Sequence, residues 1–148
     1  MQLLVIALAT LILDQAVKYM VVQKMIEGQS IPIIPHIFHL TFVKNVGAAF
    51  GILANQILFF VFIGLLAVIA IVFFYSKLKP EHKLLRLALA LQLGGALGNL
   101  IDRIRLGYVV DLFDFRIWPV FNIADSAIVI GVVLLIWEIL RNPEGEKA

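Results

Sequence analysis

The chain has no cysteine, which excludes disulfides, thiolate metal sites and thiol catalysis while leaving its compartment open. Charge is scarce too: 15% of the 148 residues are charged and 62% are hydrophobic, against roughly 25% and 45–50% in soluble domains. A chain so poor in polar surface is an integral membrane protein, with no length left over for a soluble domain. The formal charge of +2 is too small and scattered for a nucleic-acid partner. There is no internal repeat and no low-complexity tract. The amino-terminal apolar stretch has no basic leader and no small-x-small cleavage site, so a retained span is expected there rather than a cleaved signal peptide.

What the chain has instead is four apolar stretches, Leu3 to Val22, Ile57 to Tyr75, Leu84 to Ile101 and Ile123 to Leu140. Each is near the roughly 20 residues a helix needs to cross about 30 Å of hydrocarbon. Helices are expected because backbone in lipid must satisfy its own hydrogen bonds. The fold class that follows is an all-α membrane protein, one domain over residues 1–148, with four transmembrane helices and a small extracytoplasmic element containing β-structure. The connector between the second and third spans carries Lys77, Lys79 and Lys83, with Arg86 close behind. Positive-inside bias places it in the cytoplasm together with both termini, although Arg103, Arg105 and Arg116 count the other way. Residues 23–56 and 102–122 then face outward. In the first of these, Phe38, Leu40 and Phe42 alternate with His39 and Thr41, the period of a strand with one apolar face. Pro32 and Pro35 argue against a helix before it. The second outer segment is mostly apolar from Tyr108 to Phe115, and Trp118 suits an interface.

Acids at the edge of such a chain need a reason. Asp111 follows the third span and Asp125 opens the fourth, both on the outer side. Ser126, the hydroxyl beside them, has no histidine or lysine nearby in sequence to act as its base. An aspartyl mechanism is therefore the chemistry expected, against the plainer role of Asn122 or Asp125 as a cap for the fourth helix. Two close carboxyls at a low-dielectric edge do not both ionise easily, so one keeps a proton while the other deprotonates a water. Gln92, Gly95, Asn99 and Arg103 share one face of the third span and point into the bundle. Gly94 and Gly98 read as a close-packing pair. Thr10, Asp14 and Lys18 line one face of the first span, with Asp14 and Lys18 standing equally as a structural ion pair or as substrate contacts. Asp102 is expected to pair with Arg103, and Asp114 to be a solvated loop acid. His36 and His39 are read as interface residues rather than metal ligands; no metal and no cofactor is expected.

These residues carry a family resemblance. The run Gly94-Gly95-Ala96-Leu97-Gly98-Asn99-Leu100-Ile101-Asp102-Arg103, then Val109-Val110-Asp111, then Phe121-Asn122-Ile123-Ala124-Asp125-Ser126 resembles the signature of the lipoprotein signal peptidases, or signal peptidase II. Asp14-Gln15-x-x-Lys18 and Asn45-x-Gly47-Ala48-Ala49-Phe50-Gly51 are similar to that family's earlier motifs, so the likeness runs the length of the chain in order. The resemblance implies an aspartic endopeptidase of the bacterial inner membrane with Asp111 and Asp125 as its dyad. Its substrate would be a prolipoprotein already carrying diacylglycerol, cut on the amino side of the lipidated cysteine. Asn45, Gly47, Asn99, Arg103, Asn122, Asp14 and Lys18 are the substrate-binding candidates. The partners expected are that substrate and membrane lipid, with no nucleic acid, and the protein is expected to be a monomer. The alternative reading is a small transporter subunit in which Asp14, Lys18 and Asp125 carry protons or a cation. Against it, the richest polar cluster lies at one face rather than at the midplane.

Overall fold

The computed structural model describes residues 2–47 and 56–141, so Ala48 to Gly51 of the second early motif and residues 142–148 lie outside the described residues. In chain order the elements are α1 (Gln2–Lys24), β1 (Ser30–Ile34), β2 (Phe38–Asn45), α2 (Ile57–Lys77), α3 (Lys83–Leu106), β3 (Val109–Asp114) and α4 (Ile123–Arg141). All four helices are long and apolar enough to cross a membrane. A three-stranded antiparallel sheet of order β1-β2-β3 accompanies them.

The helices differ in what surrounds them. α3 is the axis of the bundle and packs against α1, α2 and α4, and Ala88, Ala90 and Gly98 are among its buried residues. α2 buries none of its residues and touches mainly α3. Its outward Phe62, Leu66, Ile69 and Phe73 face the lipid a membrane would supply. Small residues set the close approaches: a Cβ on Gly94 would come within 2.7 Å of the Ala7 carbonyl oxygen on α1, and one on Gly95 would collide with the Ala124 carbonyl on α4. Gly94 is thus a packing residue, as its spacing implied. α3 ends at Gly107, whose φ of 77° suits a left-handed helix cap and whose N–H reaches the Arg103 carbonyl. The helix runs five residues beyond the apolar stretch, so Asp102 and Arg103 belong to its last turns rather than to a loop.

The sheet is larger than the single strand the period of two revealed. β2 lies in the middle, pairing with β1 from Ser30↔Thr41 to Ile34↔Phe38 and with β3 from His39↔Asp114 to Asn45↔Val109. Phe42 of β2 joins Val110 and Leu112 of β3 and Val21 of α1 in a buried cluster. That cluster fastens the sheet to α1, and it brings Asn45 and Asp111 to the end of the bundle where α4 begins. The β2–β3 register slips between Leu40 and Val43; such a bulge re-aims the side chains that follow it. Asp114 is not a solvated acid. It is 5% exposed, accepts a hydrogen bond from Thr41 Oγ1 at 2.8 Å and pairs with Arg116 at 2.9 Å.

Candidate active site

α4 begins with a reciprocal cap. The Asn122 side-chain oxygen accepts the Asp125 backbone N–H at 2.9 Å, and an Asp125 carboxylate oxygen accepts the Asn122 backbone N–H at 3.3 Å. This is a capping box built from Asn and Asp, and the plainer role foreseen for these two residues is therefore present. It also fixes the Asp125 carboxylate at the mouth of the helix, where the partial positive charge of the helix end favours an anion. The other Asp125 oxygen accepts Asn99 Nδ2 at 2.7 Å.

Asp111 arrives from the sheet. It is 2% exposed, with one oxygen held by Asn122 Nδ2 at 2.7 Å and the other by Asn45 Nδ2 at 2.9 Å. All four oxygens of the two acids are therefore hydrogen-bonded, and Asn122 touches both carboxylates, one through its side chain and one through its backbone. Burial first, and the neighbouring Asp125 charge second, push the Asp111 carboxyl up to about 7, while the Asn45 and Asn122 hydrogen bonds and the Lys18 charge pull the other way without prevailing. An acid that holds its proton near neutrality beside a second carboxylate is the environment an acid–base pair needs.

The amides that grip the acids are themselves oriented. The Gly47 N–H donates to the Asn45 side-chain oxygen at 3.0 Å, which leaves the Asn45 amide nitrogen for Asp111. Lys18 Nζ donates to the Asn99 oxygen at 3.0 Å. An ammonium can only donate, so the Asn99 amide nitrogen must face Asp125. Arg103 lies with its guanidinium 5.1 Å from the Phe60 ring centre and interacts electrostatically with Asp125 and Asp111.

Asp102 does not pair with Arg103. Successive residues on a helix point about 100° apart and do not face each other. Asp102 instead turns inward to Lys18, at 2.9 Å, and Lys18 also meets Asp14 at 2.9 Å. Of the two readings of Asp14 and Lys18, the ion pair is thus formed; Asp14 is wholly buried and Lys18 3% exposed, which leaves almost no surface for a substrate. His36 lies in the β1–β2 turn, and His39 on β2 meets the Ser30 hydroxyl at 3.0 Å. The Ser126 hydroxyl is spent on the Asn122 carbonyl at 2.9 Å. Gln92 packs where α3 meets Gly131 of α4, away from the acids.

Asp125 also borders an apolar cavity of about 610 Å³, walled by Phe115, Trp118, Phe121, Val129 and Ile130. The sequence showed the apolar run ending at Phe115 and the interfacial Trp118, but not that Phe121, Val129 and Ile130 close with them around a cavity at Asp125. Phe115 and Phe121 stack at 10° with centres 5.9 Å apart, an arrangement made by the β3–α4 connection folding back on itself through the Phe113–Phe121 bridge.

These features define a multi-pass membrane protein with paired acids at one end of a helix bundle, the arrangement of a membrane protease. The model of the family described as "Signal peptidase (SPase) II" matches residues 6–141. A lipoprotein signal peptidase of Moorella thermoacetica is 54% identical over 99% of this chain and 97% of its own length. One of Halothermothrix orenii is 52% identical over 89% and 90%. Two solved bacterial membrane enzymes superpose on the chain, one with a TM-score of 0.91 at 39% identity, covering 99% of this chain and 92% of its own, the other with 0.87 at 40%, covering 95% and 94%. The chain belongs to the signal peptidase II family. The transporter alternative finds no support in these likenesses.

Proposed function

We propose that Asp111 and Asp125 are the catalytic dyad of an endopeptidase that removes the signal peptide of a diacylglyceryl-modified prolipoprotein, cutting on the amino side of the lipidated cysteine. The observation that carries the proposal is that all four oxygens of these two acids are held in one asparagine cluster, with the Asp111 carboxyl raised to about 7. One carboxylate takes a proton from a water, the water attacks the scissile carbonyl, and the protonated partner donates to the leaving amine. The pair titrates as a unit. Asp111 is sealed while Asp125 opens on the apolar cavity, so the peptide approaches from the Asp125 side. Arg103 and Asn45, which are partly exposed, hold the extended substrate backbone beside the acids, while Asn99 and Asn122, 7% and 0% exposed with their amides already engaged, orient the carboxylates and Gly47 fixes the Asn45 amide.

The Lys-rich connector supports an orientation with both termini cytoplasmic and the dyad near the outer face of the inner membrane. Substrate and enzyme meet there as monomers within the lipid. The acyl chains gain little by moving from bilayer to protein, since each methylene already lies in hydrocarbon. Their value is in holding the scissile bond at the height of the dyad, which raises its effective concentration and aligns it for attack. The test is turnover of matched precursors with and without the diacylglyceryl group in one bilayer, with the cut mapped by mass. Cleavage before the cysteine, much faster for the lipidated form, is expected. Equal rates would sink the positional role of the lipid, and no cleavage of either would sink the function.

A further inference from the structure

Behind the proposed dyad lies a second charged cluster that the chemistry above does not use. Lys18 has three protons and spends all three, on Asp14 Oδ2 at 2.9 Å, Asp102 Oδ2 at 2.9 Å and Asn99 Oδ1 at 3.0 Å. Each acceptor leads to one of the two acids. Asp14 Oδ1 accepts the backbone N–H of Ala124 at 2.9 Å, the residue before Asp125. Asp102 Oδ2 accepts the backbone N–H of Val110 at 3.2 Å, the residue before Asp111. Asn99 donates to Asp125 itself. Gln15 braces the arrangement, donating to Asp102 Oδ1 at 2.9 Å and to the Gly98 carbonyl at 3.2 Å.

We propose that Lys18 is a positioning residue that sets the separation of Asp111 and Asp125, by clamping together the carboxylate that holds the first turn of α4 and the carboxylate that holds the start of β3. The two acids come from different elements, a helix end and a strand, and no hydrogen bond joins their carboxyls directly. Asn122 ties them directly, through its side chain and its backbone N–H; the Lys18 cluster ties them through the residues that precede each acid. A role limited to stability is a poor account of it. One cation and two carboxylates buried together hold helices no better than well-packed apolar side chains do, whereas only acceptors of fixed position can locate the peptide N–H groups on either side. The inference rests on the dyad reading above.

The test separates position from folding. Asp102→Asn leaves Lys18 with Asp14, one cation to one anion, so the cluster loses its surplus negative charge and the fold is retained. An amide has a single acceptor oxygen: placed at Oδ2 it sets its own N–H₂ against Gln15 Nε2, and turned the other way it loses Lys18 and the Val110 N–H, so either the Gln15 brace or the Val110 arm is released. If a displacement near 1 Å costs on the order of 10²-fold, a partial loosening of the clamp predicts kcat down by about tenfold, with KM within about twofold and cooperative unfolding retained. The triple variant Lys18→Met, Asp14→Asn, Asp102→Asn removes the clamp without leaving a buried charge, and its kcat is expected to fall about a hundredfold, again at nearly constant KM. Wild-type kcat in either folded variant, a rise in KM equal to the loss of rate, or failure of both variants to fold would overturn the proposal, the last because the cluster would then be structural. Asp111→Asn and Asp125→Asn run beside them keep the two readings apart. Activity in these would remove the dyad; inactivity in these with full activity in the other two would remove only the clamp.

Discussion

Replacing Asp111 by Asn is expected to make the protein more stable at alkaline pH. The folded state holds the Asp111 proton up to about 7 against an ordinary value of 3.8. Between those two values the folded protein binds a proton that the unfolded chain has lost, so this group's contribution makes stability fall as pH rises from about 4 to about 7, and stay lower above. The full cost is about 4 kcal/mol. Asn does not ionise and escapes it. The gain is not complete, because Asn122 Nδ2 and Asn45 Nδ2 each donate to a separate Asp111 oxygen, whereas an amide accepts through one oxygen and turns its own N–H₂ toward the other donor; that mismatch costs roughly 1–3 kcal/mol. Near pH 8 the variant should therefore be more stable by about 2 kcal/mol, and near pH 4 no more stable than the wild type, or less. Denaturant unfolding in one detergent at the two pH values measures the difference. A stability difference that does not change with pH would refute the reasoning, since it would mean that Asp111 holds no proton the unfolded chain lacks.

Two further outcomes follow from the geometry. Gly98→Ala should destabilise by about 1–3 kcal/mol or more, because the new Cβ would lie 2.5 Å from Asp14 Oδ2 and push a buried carboxylate off Lys18 and the Ala124 N–H; an unchanged melting temperature would contradict that packing. In intact cells, single cysteines at Ser30 and at Lys79 of the otherwise cysteine-free chain should label differently with an impermeant thiol reagent, Ser30→Cys from outside and Lys79→Cys only after lysis. Labelling of position 79 from outside would reverse the orientation.

The helices were legible because roughly 20 apolar residues in a row have few other uses, and β2 because Phe38, Leu40 and Phe42 keep a period of two. β3 was not, since Val109 to Asp114 is buried on both sides and shows no alternation to read. β1 was hidden by Pro32, which fits a strand only at an edge, the place it occupies. Asp111 and Asp125 stood out as acids at the ends of apolar runs, yet nothing local says that one asparagine grips both. Lys18 and Asp102 are 84 positions apart and could be joined only by the packing of α1 on α3. The expected Asp102–Arg103 pair failed on simple helix geometry, a constraint that the sequence did contain.

The central claim is that Asp111 and Asp125 together cut the precursor, and cleavage of a purified lipidated prolipoprotein by Asp111→Asn and Asp125→Asn enzymes tests it most directly. Each variant keeps the shape of the site, and Asp111→Asn is expected to be the more stable protein at the assay pH, so lost activity cannot be ascribed to unfolding there. The account predicts that kcat/KM falls by at least about 10³-fold in both, the scale of removing a positioned acid or base, with substrate still bound. Near-normal turnover by either folded variant would contradict it.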